Sequence, residues 1–152
     1  MAARSSIPTE FESLVSVTTP KLRTFCLDLF VLLTKKCKCS IDVRNDYATF
    51  GLSNGLVAAV YAYRTEVDVI LALPADKSDK HLFDAVDKNY KWRNLPVGIC
   101  VNSSAKAKIA LERAKMAHEL VSSGVTQEQD GETFSRPKAA FQPAFKKKFR
   151  YR

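Results

Sequence analysis

Hydrophobic positions run almost unbroken between Leu56 and Pro74, LVAAVYAYRTEVDVILALP, where two apolar arms flank a polar turn at Arg64-Thr65-Glu66. Val, Ile, Leu, Tyr and Ala fill the arms, and Asp68 is the only charge inside them. So apolar a hairpin needs cover on at least one face, which places it in the middle of a sheet. Upstream, Ser53-Asn54-Gly55 reads as a turn, because Asn and Gly accept the backbone angles tight hairpins require. Three antiparallel strands follow economically: residues 47–52, 56–63 and 67–73, the last ended by Pro74, which cannot pair within a sheet. Before them, Ile41 and Val43 alternate, and Asn45-Asp46 bends the chain ahead of Tyr47.

The period changes from two to about 3.6 in two longer stretches. Thr19 stands as an N-cap and Pro20 at the first helical position, followed by Leu22, Phe25, Cys26, Leu29, Phe30 and Leu33 on one face. Lys35, Lys36 and Lys38 suit the negative end of that helix. A shorter helix from Pro8 to about Val17, with Ser6 as its cap, would bury Phe11, Leu14 and Val15. Near the other end, Asn102, Ser103 and Ser104 offer caps for a helix from about Ala105 to Val121. Its expected core face is Ile109, Met116, Leu120 and Val121, with alanines allowing close approach to the sheet, and Gly124 stops it. Val97–Val101 is a fourth short strand. Between them, Ala75–Asn94 is polar, and His81, Leu82, Phe83 and Val86 predict one or two helical turns. The expected fold is α+β, an antiparallel sheet of about four strands with helices packed on one face.

Length and charge sharpen this picture. The 152 residues, 46% of them hydrophobic, suffice for one core. Residues 1–18 read as an N-terminal segment, 19–124 as the core domain and 125–152 as a disordered tail with low aliphatic content. The net charge is +8, and seven bases with no acid lie between Arg136 and Arg152, which leaves +1 for residues 1–135. The basic character belongs to the tail. The longest apolar run, Phe25–Leu33, contains Asp28 and is too short to span a membrane. The stretch MAARSSIPTEFES lacks the apolar centre of a secretory signal, so free thiols in a cytoplasmic protein are expected for Cys26, Cys37, Cys39 and Cys100.

The run from about Lys21 to Val121 carries VDVILALP, then YKWRNLPVGICV, then KAKIALERAKMAHELV. In these patterns of hydrophobicity it resembles a small bacterial α/β domain of unknown function found fused behind predicted nucleases, sometimes labelled a predicted transport protein. In outline it is similar to the YjbR-like and YdhG-like group. Trp92 stands where such families place a tryptophan or glycine-rich element before the last strand, whereas Ala75–Asn94 lacks their glycines. The resemblance implies a DNA-related role in a loose sense.

Catalytic chemistry finds little support. His81 and His118 lack the context of a metalloprotease or a serine triad and are expected at the surface. A metal-dependent nuclease needs an acid on one strand and an acid-x-Lys on the next. Glu66-Val67-Asp68 is followed by Val69-Ile70, with no lysine two residues after either acid. Cys37-Lys38-Cys39 has no second pair to complete a zinc site. No enzymatic activity, metal or cofactor is therefore expected, and a metal-dependent nuclease stays open as a third reading, which metal-enhanced cleavage of nucleic acid would revive.

Binding chemistry is better represented. Lys88, Tyr90, Lys91, Trp92 and Arg93 interleave charge with rings that could stack on bases. Buried, Trp92 and Tyr90 would instead plug one end of the core, as single tryptophans usually do. The tail repeats the pattern with Arg136, Lys138, Phe141, Phe145, Lys146, Lys147, Lys148, Phe149, Arg150, Tyr151 and Arg152. A segment with no core to fill needs another reason for four rings. Nucleic acid uses both its charge and its rings, and an acidic protein surface would use Phe145 and Phe149 as anchors. A membrane surface fits poorly without a lipid anchor. The leading expectation is a nucleic-acid-binding module, the alternative a subunit whose tail docks into a partner protein.

Overall fold

The computed structural model describes residues 7–76, 78–85, 87–90, 92 and 94–125. Within them, helix α1 (Thr9–Val15) and helix α2 (Pro20–Val31) precede strands β1 (Ser40–Val43), β2 (Ala48–Leu52), β3 (Gly55–Ala62), β4 (Val67–Leu71), β5 (Phe83–Asp84) and β6 (Val97–Val101), and helix α3 (Ser104–Ser122) closes the domain. The strands form one antiparallel sheet in the order β1-β2-β3-β4-β6-β5. The α+β class is as expected, but the sheet has six strands rather than about four. The additions are its two edges. Strand β1 folds back on β2 through Asn45-Asp46, where the Arg44 N–H donates to the Tyr47 carbonyl at 2.7 Å.

The hairpin of β3 and β4 occupies the centre, and every residue of β4 is buried. Register divides the sheet into two faces of different chemistry. Phe50, Ala58, Val60, Val69, Leu71 and Ile99 share the face that the helices cover. Thr49, Tyr61, Asp68, Ile70, Gly98 and Cys100 share the other.

On the helical face the predicted stripe, from Leu22 on α2 to Leu33 just beyond its end, is buried throughout. The Thr19 hydroxyl accepts from the Leu22 N–H at 3.4 Å. Helix α1 also buries Phe11, Leu14 and Val15, so the N-terminal segment feeds the same core. Pro8 occupies its N-cap position without a side-chain cap; Ser6 lies outside the described residues. In α3 the Ser103 hydroxyl accepts from the Lys106 N–H at 3.2 Å. Its core face corrects the expectation: Ala110, Ala114, Ala117 and Val121 are buried, Ile109 and Leu120 are only half-buried, and Met116 points outward. Small residues let the helix backbone lie close to β3, β4 and β6, and a close helix leaves no room beneath it for Met116. The Asn54 amide, at the tip of the β2–β3 turn, donates to the Val121 carbonyl at 2.7 Å and ties that turn to the end of α3.

Helix α2 ends in a π turn, Leu32–Lys36, where the Cys37 N–H donates to the Leu32 carbonyl. Lys38 then adopts a left-handed backbone, φ 60°, and the Cys39 N–H closes onto the Leu33 carbonyl at 2.8 Å. Glycine is the residue suited to such a C-terminal position, because a Cβ there costs roughly 1–2 kcal/mol. Lys38→Gly is expected to stabilise the fold by about 0.5–1 kcal/mol once the greater freedom of glycine in the unfolded chain is counted. A raised urea midpoint with an unchanged slope would confirm it.

The connection from β4 to β6 departs most from expectation. Instead of helical turns, it makes tight turns around the two-residue strand β5; Val86, one of the residues expected to be helical, lies outside the described set. It passes α3, where Arg113 pairs with Asp79 at 3.0 Å, pairs with the outer edge of β6, and returns across the second face through Tyr90 and Trp92. Asp76 and Asp79 hold the backbone of Ser78 and His81 in short side-chain turns, which outcompete a helix here. A Cβ on Gly98 would lie 2.6 Å from the Phe83 ring, so glycine is what allows that ring to lie across β6.

Candidate functional site

The second face concentrates the chemistry. Tyr61 on β3, Asp68 on β4 and Cys100 on β6 form one transverse row, because each is the direct partner of the next. Strand alternation adds Tyr63 beside Tyr61 and Glu66 beside Asp68 on the same side. The Tyr63 N–H donates to the Glu66 carbonyl at 2.8 Å and closes the turn between them.

The returning connection lays an aromatic sheet over this row. Tyr90 stacks on Tyr61 with ring centroids 4.4 Å apart, Tyr47 packs on Tyr61 at 5.3 Å, and Trp92 meets Tyr47 edge-on at 5.2 Å. The Trp92 indole N–H donates to the Tyr61 hydroxyl at 2.9 Å. Trp92 is therefore a half-buried part of the aromatic cover. Its neighbours in the sequence-derived set, Lys91 and Arg93, lie outside the described residues, as do all the residues named between Arg136 and Arg152.

Beneath the rings, Asp68 is 1% exposed. The Tyr90 hydroxyl donates to its Oδ2 at 2.6 Å, and the Lys88 ammonium stands 3.6 Å from the same oxygen and 4.6 Å above the Phe83 ring. The Tyr63 and Tyr90 hydroxyls are 2.7 Å apart. Burial raises the pKa of Asp68; the Tyr90 hydrogen bond and the Lys88 charge oppose the rise, and the Glu66 charge adds to it. Burial and the negative charge of Asp68 hold the Tyr90 hydroxyl in its protonated, donating form.

Cys100 is half-buried, and its thiol is pushed up to about 12 by burial and then by the charges of Asp68 and Glu66. One S–H faces two carboxylates and cannot serve both. Among the described residues no donor meets Asp68 Oδ1 with the distance and angle of a hydrogen bond, although that atom is buried. The Cys100 thiol exerts a weak hydrogen-bonding influence that lowers the Asp68 pKa, the smallest of the influences on it, outside the geometry of a fully formed bond. Ligand atoms of Glu66, Asp68 and Cys100 all lie within 4.8 Å of one another. Neither histidine joins this group, and both are half-buried.

At one margin of the aromatic layer opens a groove of about 1020 Å³, lined by Tyr47, Tyr61, Tyr63, Arg44, Arg64 and Asn89 among others. No helix among the described residues is long and apolar enough to cross a membrane.

Sequence reasoning weighed Glu66 and Asp68 together as nuclease acids and set them aside, and it did not join them to Cys100. One half of the signal was available, since Glu66 and Asp68 are two apart on a strand and share a face. The other half was not, because the pairing of β6 against β4 depends on how a long connection folds. No protein-family model, no curated protein sequence and no solved structure matches this chain.

Proposed function

We propose that the chain is a non-enzymatic binding module that engages nucleic acid through residues 136–152, in the reducing cytoplasm. The observation that carries this reading is charge segregation: seven bases, no acid and four aromatic rings follow a body whose net charge is only +1. Lysine and arginine displace condensed counterions from phosphates, and rings stack on exposed bases without demanding a sequence. The four unpaired thiols, Cys26, Cys37, Cys39 and Cys100, agree with a reducing compartment. The folded body acts as the scaffold that carries the segment.

Anisotropy titrations of labelled single-stranded DNA and RNA test this reading. Binding by the full chain is expected to weaken with salt at a log–log slope as steep as about −5 if all the bases of the segment contact phosphate. The triple charge reversal Lys146→Glu, Lys147→Glu, Lys148→Glu and deletion of residues 136–152 should each abolish it. Unchanged affinity in either variant would refute it. A protein-docking alternative draws on the spacing of Phe145 and Phe149, four residues apart and able to act as paired anchors. It predicts capture that depends on those rings far more than on the lysines and varies little with salt.

A further inference from the structure

We propose that Glu66, Asp68 and Cys100 form a binding site for a thiophilic divalent cation of the zinc class, under the aromatic cover and independent of the basic segment. Two independent features point there. The first is the donor set: two carboxylates and one thiol converge within 4.8 Å of one another. In a tetrahedral site with metal–ligand distances of about 2.0–2.3 Å, neighbouring donors stand roughly 3.3–3.8 Å apart, so modest rotation of the half-buried Glu66 and Cys100 side chains closes the set. The second is the orphaned oxygen. Asp68 is 1% exposed, its Oδ2 is engaged by Tyr90 and Lys88, and its buried Oδ1 has no well-formed hydrogen-bond partner among the described residues. A buried carboxylate oxygen without a well-formed donor is costly, and a cation would satisfy it better than the weakly donating Cys100 thiol does.

The chemistry of the donors selects the ion. A sulfur ligand disfavours magnesium and calcium, which take oxygen ligands in larger numbers, and suits zinc and its spectroscopic substitute cobalt(II). Binding replaces the thiol proton: the S–H bond breaks, the proton leaves to solvent, and the thiolate sulfur bonds to the metal. Two carboxylates and a thiolate around a dication leave one net negative charge, which the Lys88 ammonium beside Asp68 neutralises. Tyr90 is then an orienting partner, holding Oδ2 so that Oδ1 faces the ion, as outer hydrogen bonds do at metal sites. Three protein ligands leave a coordination position for water.

Cobalt(II) titration of the reduced full chain tests the site. About one cobalt per chain is expected, with a thiolate-to-metal charge-transfer band that zinc abolishes by displacement. Cys100→Ser should remove the band, and Glu66→Gln should weaken cobalt binding by at least about 10-fold, with circular dichroism unchanged in both. The double variant Cys37→Ser, Cys39→Ser must retain the band, which separates this site from the other close thiols. Absence of any thiolate band in the full chain, or its persistence in Cys100→Ser, would overturn the proposal. Nucleic-acid binding by Cys100→Ser should match the unaltered chain, so failure here leaves the reading of the basic segment standing.

Discussion

Phe50→Ala is expected to cost about 3–5 kcal/mol, the largest loss from any single truncation proposed for this fold. Phe50 is fully buried on β2, and its ring meets Phe11 of α1 at 6.2 Å and Phe30 of α2 at 6.5 Å, both edge-on. Those two rings are themselves 5.3 Å apart. Three elements from separate parts of the sequence thus share one aromatic junction, and removing its centre leaves a void that neither helix can fill without losing its own contacts with the sheet. Domains of this size are stable by only about 5–15 kcal/mol, so the variant should lie close to its unfolding threshold at ambient temperature. Phe50→Leu keeps most of the volume and should cost about 1–1.5 kcal/mol. Urea unfolding followed by circular dichroism measures both, and a loss below 1 kcal/mol for the alanine variant would show that the junction collapses to fill the gap.

Tyr90→Phe should cost about 1.5–3 kcal/mol at neutral pH, because it strips a buried carboxylate of its one short hydrogen bond. The loss should be pH-dependent. Asp68 faces Tyr90, Lys88, Glu66 and Cys100, and burial keeps its pKa above the ordinary value of 3.8. Between that value and the raised one, the folded chain keeps a proton that the unfolded chain has released. Raising the pH through this window therefore weakens the fold, and the contribution is full only below it. Tyr90→Phe widens the window upward, since the hydrogen bond it removes favours the ionised form. Its cost should shrink to about 1 kcal/mol well below 3.8, at about pH 2.5, where the carboxyl is neutral in both states. Asp68→Asn should remove this pH dependence altogether while retaining an acceptor for Tyr90. Unfolding midpoints across a pH series in the presence of a chelator would check the sign, and a Tyr90→Phe penalty that is constant with pH would contradict it.

Local pattern made much of this fold legible. The central hairpin, the stripe of α2, both serine and threonine caps and the stop at Gly124 all follow from signals within a few residues of each element. What escaped depends on distant partners. Phe83–Asp84 is too short to read as a strand, and becomes one only because β6 offers an unpaired edge and Gly98 makes room for the Phe83 ring. Met116 scores as hydrophobic at a plausible position, yet the neighbouring alanines decide which side of α3 can approach the sheet. The carboxylate–thiol cluster was half visible: spacing relates Glu66 to Asp68, whereas Cys100 joins them only through a strand pairing set by a long intervening connection.

The bond from Asn54 to the Val121 carbonyl has a geometric consequence. It anchors the end of α3 at the start of β3, whereas Asp68 lies opposite Tyr61, six residues along that strand. At about 3.4 Å per residue, the end of α3 is roughly 20 Å from the carboxylate–thiol cluster. Two such positions lie beyond the screening length of physiological salt, about 8 Å. A solvent-exposed charge held at the end of α3 is thus largely screened from exposed groups at the other end of the sheet.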